Sequence, residues 1–364
     1  MSKNIIIFYP TFAGGGITRN LENIIKFLKK KNLFIYLFSN QTKNLKTNNK
    51  IRIIDTKYKI FNINRSFINI IASSINLIFF LKKNKHVNTI LSMQNHLPAI
   101  IIAKFFRKKI IIRNSEEIFS ATKYADNLFL AYFVLSLKFV IYKMCDHFIA
   151  ISIRSKKSLQ KLKIKKEKIS LIYNPFIQKI KKNISKRYSF GDEFYIISVG
   201  RLTKQKNFIN LINNVINLQK KYPFINLKII GNGPDFKKLK NLSFKNKKIS
   251  IIKWGNNIEK HYKKSHLFVL NSLYEGLPNV LIESVNNSLP CLSTDCSGAQ
   301  DILLNSKGGF LVPIKNNNLL SDKIEFIIKN YKNAVKKSFI AKKKINRFSQ
   351  DSCKDYYKLL LNYI

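Results

Sequence analysis

The sequence predicts an α/β protein made of two doubly wound, parallel-sheet domains. Three observations carry this. Short runs rich in Ile, Val and Phe alternate with longer stretches whose apolar residues recur at helical spacing, the pattern of βαβ units covered on both faces. The alternation breaks once, at the polar and basic stretch "KIKKNISKRYSFGD" over residues 179–192, and then begins afresh. The chain has 364 residues, more than one ordinary domain needs. These place an N-terminal domain at residues 1–185 and a C-terminal one at 190–345. Residues 346–364 form a final helix available to pack back on the first domain.

The elements follow in order. "NIIIFYP" is a strand and "ITRNLENIIKFLKK" an amphipathic helix. "LFIYLFS" and "TILSM" are strands, "AIIIAKFF" a helix, and "KIIIR" and "HFIAIS" further strands. After the break come "FYIISVG" (strand), "NFINLINNVINLQKKY" (helix) and "INLKIIG" (strand). "PDFKKLKNLS" (helix), "KISIIKWG" (strand), "IEKHYKKS" (helix) and "LFVLNS" (strand) continue the pattern. A helix starts near Asn279, and residues 316–364 read as mostly helical. Two segments are more apolar, "INIIASSINLIFFL" (68–81) and "LFLAYFVLSLKFVIY" (128–142). Each falls short of the roughly 20 apolar residues of a spanning helix. Burial in the core is the favoured expectation for both, with contact at a membrane surface as the alternative.

The formal charge is +47, from 66 Lys+Arg against 19 Asp+Glu. Such a balance suits an anionic membrane or nucleic acid. An AT-rich coding sequence, which raises Lys, Asn and Ile together, accounts for it equally. The lysines are spread along the chain rather than clustered beside aromatics, which counts against nucleic acid. The four cysteines form no C-x-x-C pair and no zinc-like spacing, so reduced thiols in a cytosolic setting are expected. The first apolar run is too short, and too soon followed by glycine, for a signal peptide.

Chemistry is expected at the carboxyl ends of the strands, where open α/β sheets bind ligands. Gly14, Gly15 and Gly16 follow the first strand and precede a helix, a place where backbone approaches a ligand and helix amides attract phosphate. In "VGRLTKQKNF", Arg201 and Lys206 lie between a strand and a helix, suited to a diphosphate. "IIGNGP" is a third such turn. The fourth is "NSLYEGLPNVLIES", where Glu275 stands in a loop and Glu283 one turn into a helix. The peptide groups of Gly276, Leu277, Pro278, Asn279 and Val280 form the helix start between them. Amides there bind phosphate, and carboxylates accept from hydroxyls. A nucleotide sugar matches, with sugar, diphosphate and ribose in line.

The second half resembles the retaining glycosyltransferases of family 4, through "VGRLTKQKN", "IIGNGP", "EGLPNVLIES" and "GGFLVP" in that order. The first half resembles them more loosely, through "PTFAGGGITRN" and "SMQNHLPAIIIAKFFRKKIIIRNSEE". The resemblance implies the GT-B architecture, two Rossmann-like domains facing across a cleft. It implies that Arg201 and Lys206 hold the donor diphosphate, Glu275 binds the transferred sugar and Glu283 the ribose. Gly15 and Gly16 are implied near the diphosphate or sugar, and residues 254–258, with Ile258, near the base. Where relatives carry Gly-Gly-Ala-Glu this chain has Gly15-Gly16-Ile17-Thr18. Where many have a histidine it has Asn114, Ser115 and Glu116, so His96, after another strand, is the candidate near the sugar. No Asp-x-Asp occurs, and none of these residues forms a metal site. A retaining transfer that needs no metal or cofactor is expected, from a nucleotide sugar such as a UDP-sugar to a lipid-linked or surface-glycan acceptor. The setting implied is bacterial polysaccharide or lipopolysaccharide assembly, in the cytoplasm at the inner face of the membrane, with no nucleic-acid partner. The rivals are a nucleotide-sugar epimerase of the same fold and a basic nucleic-acid-binding protein.

Overall fold

The computed structural model describes residues 3–10, 15–39, 50–55, 65–94, 96–255 and 257–364. The chain divides into two compact units, residues 1–178 with 347–364, and residues 179–346.

The first unit runs β1 (Lys3–Phe8), α1 (Gly16–Lys29), β2 (Leu33–Ser39), β3 (Ile51–Asp55), α2 (Arg65–Lys83), β4 (Thr89–Ser92), α3 (His96–Phe105), β5 (Lys109–Asn114), α4 (Ile118–Lys123), α5 (Leu128–Ile141), β6 (His147–Ala150), α6 (Ile153–Lys161) and β7 (Ile169–Leu171). Its sheet has the order β3-β2-β1-β4-β5-β6-β7, parallel at every pairing. Alternate residues of β1 feed two cores. Ile6 and Phe8 join the side covered by α2, α3 and α5, while Ile5 and Ile7 join the side covered by α1. That two-sided burial is why the strand reads as an unbroken apolar run.

The second unit runs β8 (Phe194–Val199), α7 (Phe208–Gln219), β9 (Ile225–Ile230), α8 (Phe236–Ser243), β10 (Ile249–Ile252), α9 (Ile258–Lys264), β11 (Leu267–Leu270), α10 (Asn279–Asn286), β12 (Cys291–Thr294), α11 (Ala299–Ile302), β13 (Phe310–Val312), α12 (Asn317–Lys329) and α13 (Tyr331–Lys343). Its parallel sheet has the order β10-β9-β8-β11-β12-β13. Residues 179–193 carry no helix or strand. They are nonetheless tied to this unit, since Asn286 Oδ1 accepts from the Lys181 amide at 3.2 Å and Ser288 Oγ from the Ile184 amide at 3.2 Å.

The last helix, α14 (Ser352–Leu361), belongs to the first unit. Its Cys353, Tyr356 and Leu360 are buried with Leu21 and Ile24 of α1. The fully buried Arg113 donates to Tyr356 Oη at 3.0 Å and to Asn174 Oδ1, tying α14 to the end of β5. All four cysteines are free and buried, and burial pushes each thiol up to about 12.

The expectation of core burial for 128–142 is corrected. Leu135 is the one buried residue of α5, while Phe129 is 86% exposed. The helix is apolar on nearly all sides, so its composition could not indicate which face packs. Segment 68–81 is split, with Ala72, Leu77 and Leu81 buried and Ile71, Ile75 and Phe79 exposed. Among the described residues no helix is long and apolar enough to cross a membrane.

Candidate active site

In the second sheet the strand order reverses between β8 and β11, which pair directly. The loops after these two strands therefore adjoin, at the place where a doubly wound sheet opens to a ligand. The loop after β8 carries Arg201 and Lys206. The loop after β11 carries Glu275 and leads into α10. Backbone and side chains stitch them together. The Leu273 amide donates to Gln205 O at 2.8 Å, Gln205 Nε2 to Tyr274 O at 2.8 Å, and Asn271 Nδ2 to Asn207 O at 3.1 Å.

The stitching brings Lys206 and Glu275 into an ion pair, both largely buried. Ser272 Oγ donates to the same carboxylate oxygen at 2.7 Å. An ammonium has three N–H donors, so Lys206 can satisfy Glu275 and still face an anion. Arg201 is exposed and has no ion-pair partner among the described residues. The two expected diphosphate cations thus differ: one is held in a buried pair, the other reaches into solvent.

Gly276, Leu277 and Pro278 are buried, and Asn279 and Val280 are half-buried at the start of α10. Pro278 stands at the N-cap of that helix and makes no side-chain cap hydrogen bond. A helix start carries a positive partial charge, which favours an anion there. The loop is braced from behind: Ser297 Oγ donates to Gly276 O at 3.3 Å, and Gly298, at φ +76°, would bring a Cβ to 2.6 Å from the same oxygen. Glu283 lies one turn along α10, where Tyr262 Oη donates to its Oε2 at 3.4 Å. Tyr262 is one turn along α9 from Ile258, so α9 carries both the base candidate and the residue that bonds the ribose candidate.

The turn "IIGNGP" has a packing role. Leu202 donates its amide to Asn232 O at 2.9 Å, and a Cβ on Gly233 would lie 2.3 Å from Leu202 O. Only glycine lets this turn lie against the loop that bears Arg201 and Lys206.

The first sheet repeats the reversal between β1 and β4. Gly15 caps α1 at φ 84° and Gly16 opens that helix, while Gly14 lies outside the described residues. His96 opens α3, after the neighbouring β4, with Nδ1 2.8 Å from Ser92 Oγ. Its pKa is pushed down to about 3, first by burial and then by the positive charges of Lys138 and Arg113. The imidazole is neutral at ordinary pH, which suits a hydrogen-bonding partner better than a general base. Ser92, Ser272, Tyr262 and Ser297 had no mark in the sequence, because each acts through a partner distant along the chain or through a common residue type.

Comparison with known proteins follows this geometry. Residues 179–344 match Glycosyl transferases group 1, and residues 14–176 match Glycosyltransferase Family 4. An uncharacterized glycosyltransferase of Methanocaldococcus jannaschii is 30% identical over 317 residues, which are 82% of this chain and 70% of that protein. The chain belongs to glycosyltransferase family 4. The UDP-Gal:alpha-D-GlcNAc-diphosphoundecaprenol alpha-1,3-galactosyltransferase of Escherichia coli is 30% identical over 226 residues, 55% of this chain and 56% of that one. Among solved structures, the lipopolysaccharide outer core galactosyltransferase WaaB in its apo form is similar with a TM-score of 0.74 and 20% identity, over 100% of both chains. This family 4 glycosyltransferase has the GT-B fold, two Rossmann-like domains each with its own parallel sheet.

Proposed function

We propose that this glycosyltransferase moves a hexose or N-acetylhexosamine from a UDP-sugar to a lipid-linked or surface-glycan acceptor, with retention of anomeric configuration and without a metal ion. The observation that carries this is the Lys206–Glu275 pair beside the α10 start, at the reversal point of the second sheet. Arg201, Lys206 and the α10 amides supply positive charge where the leaving diphosphate gains negative charge, the largest single contribution available to such a reaction. Glu275 faces the hydroxyls of the transferred sugar, and Glu283 the ribose. Gly15, Gly16 and the neutral His96 serve the sugar side.

The acceptor oxygen forms its bond to the anomeric carbon on the face from which the phosphate oxygen departs. The acceptor's proton passes to that departing oxygen, so no protein nucleophile is required. The named E. coli relative takes UDP-Gal to a diphosphoundecaprenol-linked sugar, which supports a UDP-sugar donor and a polyprenyl-linked acceptor here. Such an acceptor keeps the enzyme at the inner surface of the cytoplasmic membrane, as a peripheral protein in polysaccharide or lipopolysaccharide assembly.

Thermal shift across a panel of nucleotide sugars tests the donor. A ligand at a hundred times its Kd adds about 2.7 kcal/mol of stability, so a UDP-sugar should raise Tm well above any other nucleotide. Transfer to an undecaprenyl-diphosphate-linked sugar, with the product anomer assigned by NMR, tests the rest. No shift with any nucleotide sugar, or an inverted product, would overturn the proposal.

A further inference from the structure

We propose that the outward faces of α2, α3 and α5 form one docking surface for an anionic lipid bilayer, an inference that rests on the lipid-linked acceptor proposed above. α3 packs beside both α2 and α5, so their outer side chains adjoin. Those side chains are large and apolar. Phe79 of α2 is 58% exposed, Ile101 and Phe105 of α3 are 53% and 80%, and Phe129, Phe133 and Val140 of α5 are 86%, 56% and 67%. Scattered surface apolar residues are ordinary, but a contiguous group on neighbouring helices marks an interaction site.

Charge selects the occupant. None of the three helices contains an Asp or Glu. Lys82, Lys83, Lys85, Arg107 and Lys143, in or just beyond their last turns, are exposed and have no ion-pair partner among the described residues. A second copy of this chain would bring the same free cations against themselves, on a molecule already carrying +47. An anionic bilayer instead accepts the apolar side chains below its headgroups and pairs the cations with phosphates. α5 has 14 residues, too few to span and suited to lying in the interface.

Sedimentation with phosphatidylglycerol–phosphatidylcholine vesicles, against phosphatidylcholine alone, tests this on the full chain. Wild type should bind the anionic vesicles strongly at low salt, and high salt should release it only in part. The double variant Phe129→Ser, Phe133→Ser should lower the partition coefficient at least about tenfold. Lys82→Gln with Lys83→Gln should weaken binding to anionic vesicles only. Circular dichroism and the donor thermal shift should be unchanged in all variants, since these side chains face solvent. Equal vesicle binding by wild type and the double variant overturns the docking surface. So does a wild-type dimer that the double variant dissolves while neither binds vesicles. If vesicles bind as expected but no nucleotide sugar shifts Tm, the surface stands and the proposed transfer fails.

Discussion

Lys206 Nζ and Glu275 Oε1 form an ion pair between the loops after β8 and β11, and both side chains are largely buried. The two residues are 69 positions apart in the chain. The pair couples the cation proposed for the leaving group to the carboxylate proposed for the sugar.

Lys206→Ala and Arg201→Ala should therefore differ in one respect and agree in another. Each removes a preorganised cation and should lower kcat/KM about 10²-fold or more. Lys206→Ala also strands the Glu275 carboxylate, with Ser272 alone left to bond that oxygen among the described residues. It should destabilise the fold by about 1–3 kcal/mol, whereas Arg201→Ala, on an exposed residue, should leave Tm unchanged. Urea denaturation and steady-state kinetics on both variants check this. Full activity in both would remove the donor assignment.

Glu275→Gln and Glu283→Gln should split along kcat and KM. The ribose is unchanged during transfer, so losing Glu283 removes uniform binding and raises donor KM. The sugar moves and gains charge, so losing Glu275 lowers mainly kcat and blurs discrimination between donors that differ at a hydroxyl. A Glu275→Gln enzyme with wild-type kcat and donor preference would leave Glu275 only its structural bond to Lys206.

Transfer should survive EDTA. Arg201, Lys206 and the α10 start supply the charge that a divalent ion would otherwise bring. Loss on chelation, restored by Mg²⁺ or Mn²⁺, is the outcome that would show the proposed mechanism wrong.

His96 should make the fold acid-sensitive. Its pKa falls from 6.5 to about 3 on folding, by burial first. Between those values the unfolded chain binds the proton and the folded one does not. Stability is thus complete above about pH 6.5 and is lost as pH falls, at up to about 1.4 kcal/mol per pH unit. The residue is half-buried, so solvent screening narrows the pH range over which stability is lost. His147 and His266 are also lowered by burial, so the comparison needed is His96→Asn against wild type. The variant's Tm should fall less steeply on acidification, and parallel curves would reject the assignment.

Gly298→Ala should cost about 1–3 kcal/mol, because its backbone is left-handed and the added Cβ meets Gly276 O and Leu277 Cα at 2.6 and 2.8 Å. The shift falls on the α10 start, so donor affinity should drop as well. Calorimetry with the preferred donor measures both, and an unchanged Kd would mean that the brace does not position the helix.

The sequence by itself determined the alternation of strands and helices, because a strand buried on both faces and a helix with one apolar stripe differ in period along the chain. The strands β1, β2, β4, β5, β6, β8, β9, β10 and β11 were all legible in this way, as were the four loops that bear glycines and charged residues. The strands β3, β7, β12 and β13 were not read: β7 and β13 have only three residues each, and β3 (IRIID) and β12 (CLST) have their apolar residues interrupted or followed at once by polar ones. Tertiary structure alone decided which loops meet. Strand order puts β8 against β11, so Lys206 finds Glu275, Ser272 completes the pair, and Tyr262 reaches Glu283. It also decided the fate of α5, whose composition is apolar on almost every side. A helix without a polar face carries no record of which side will pack, and only the neighbours that cover Leu135 and leave Phe129 bare settle it.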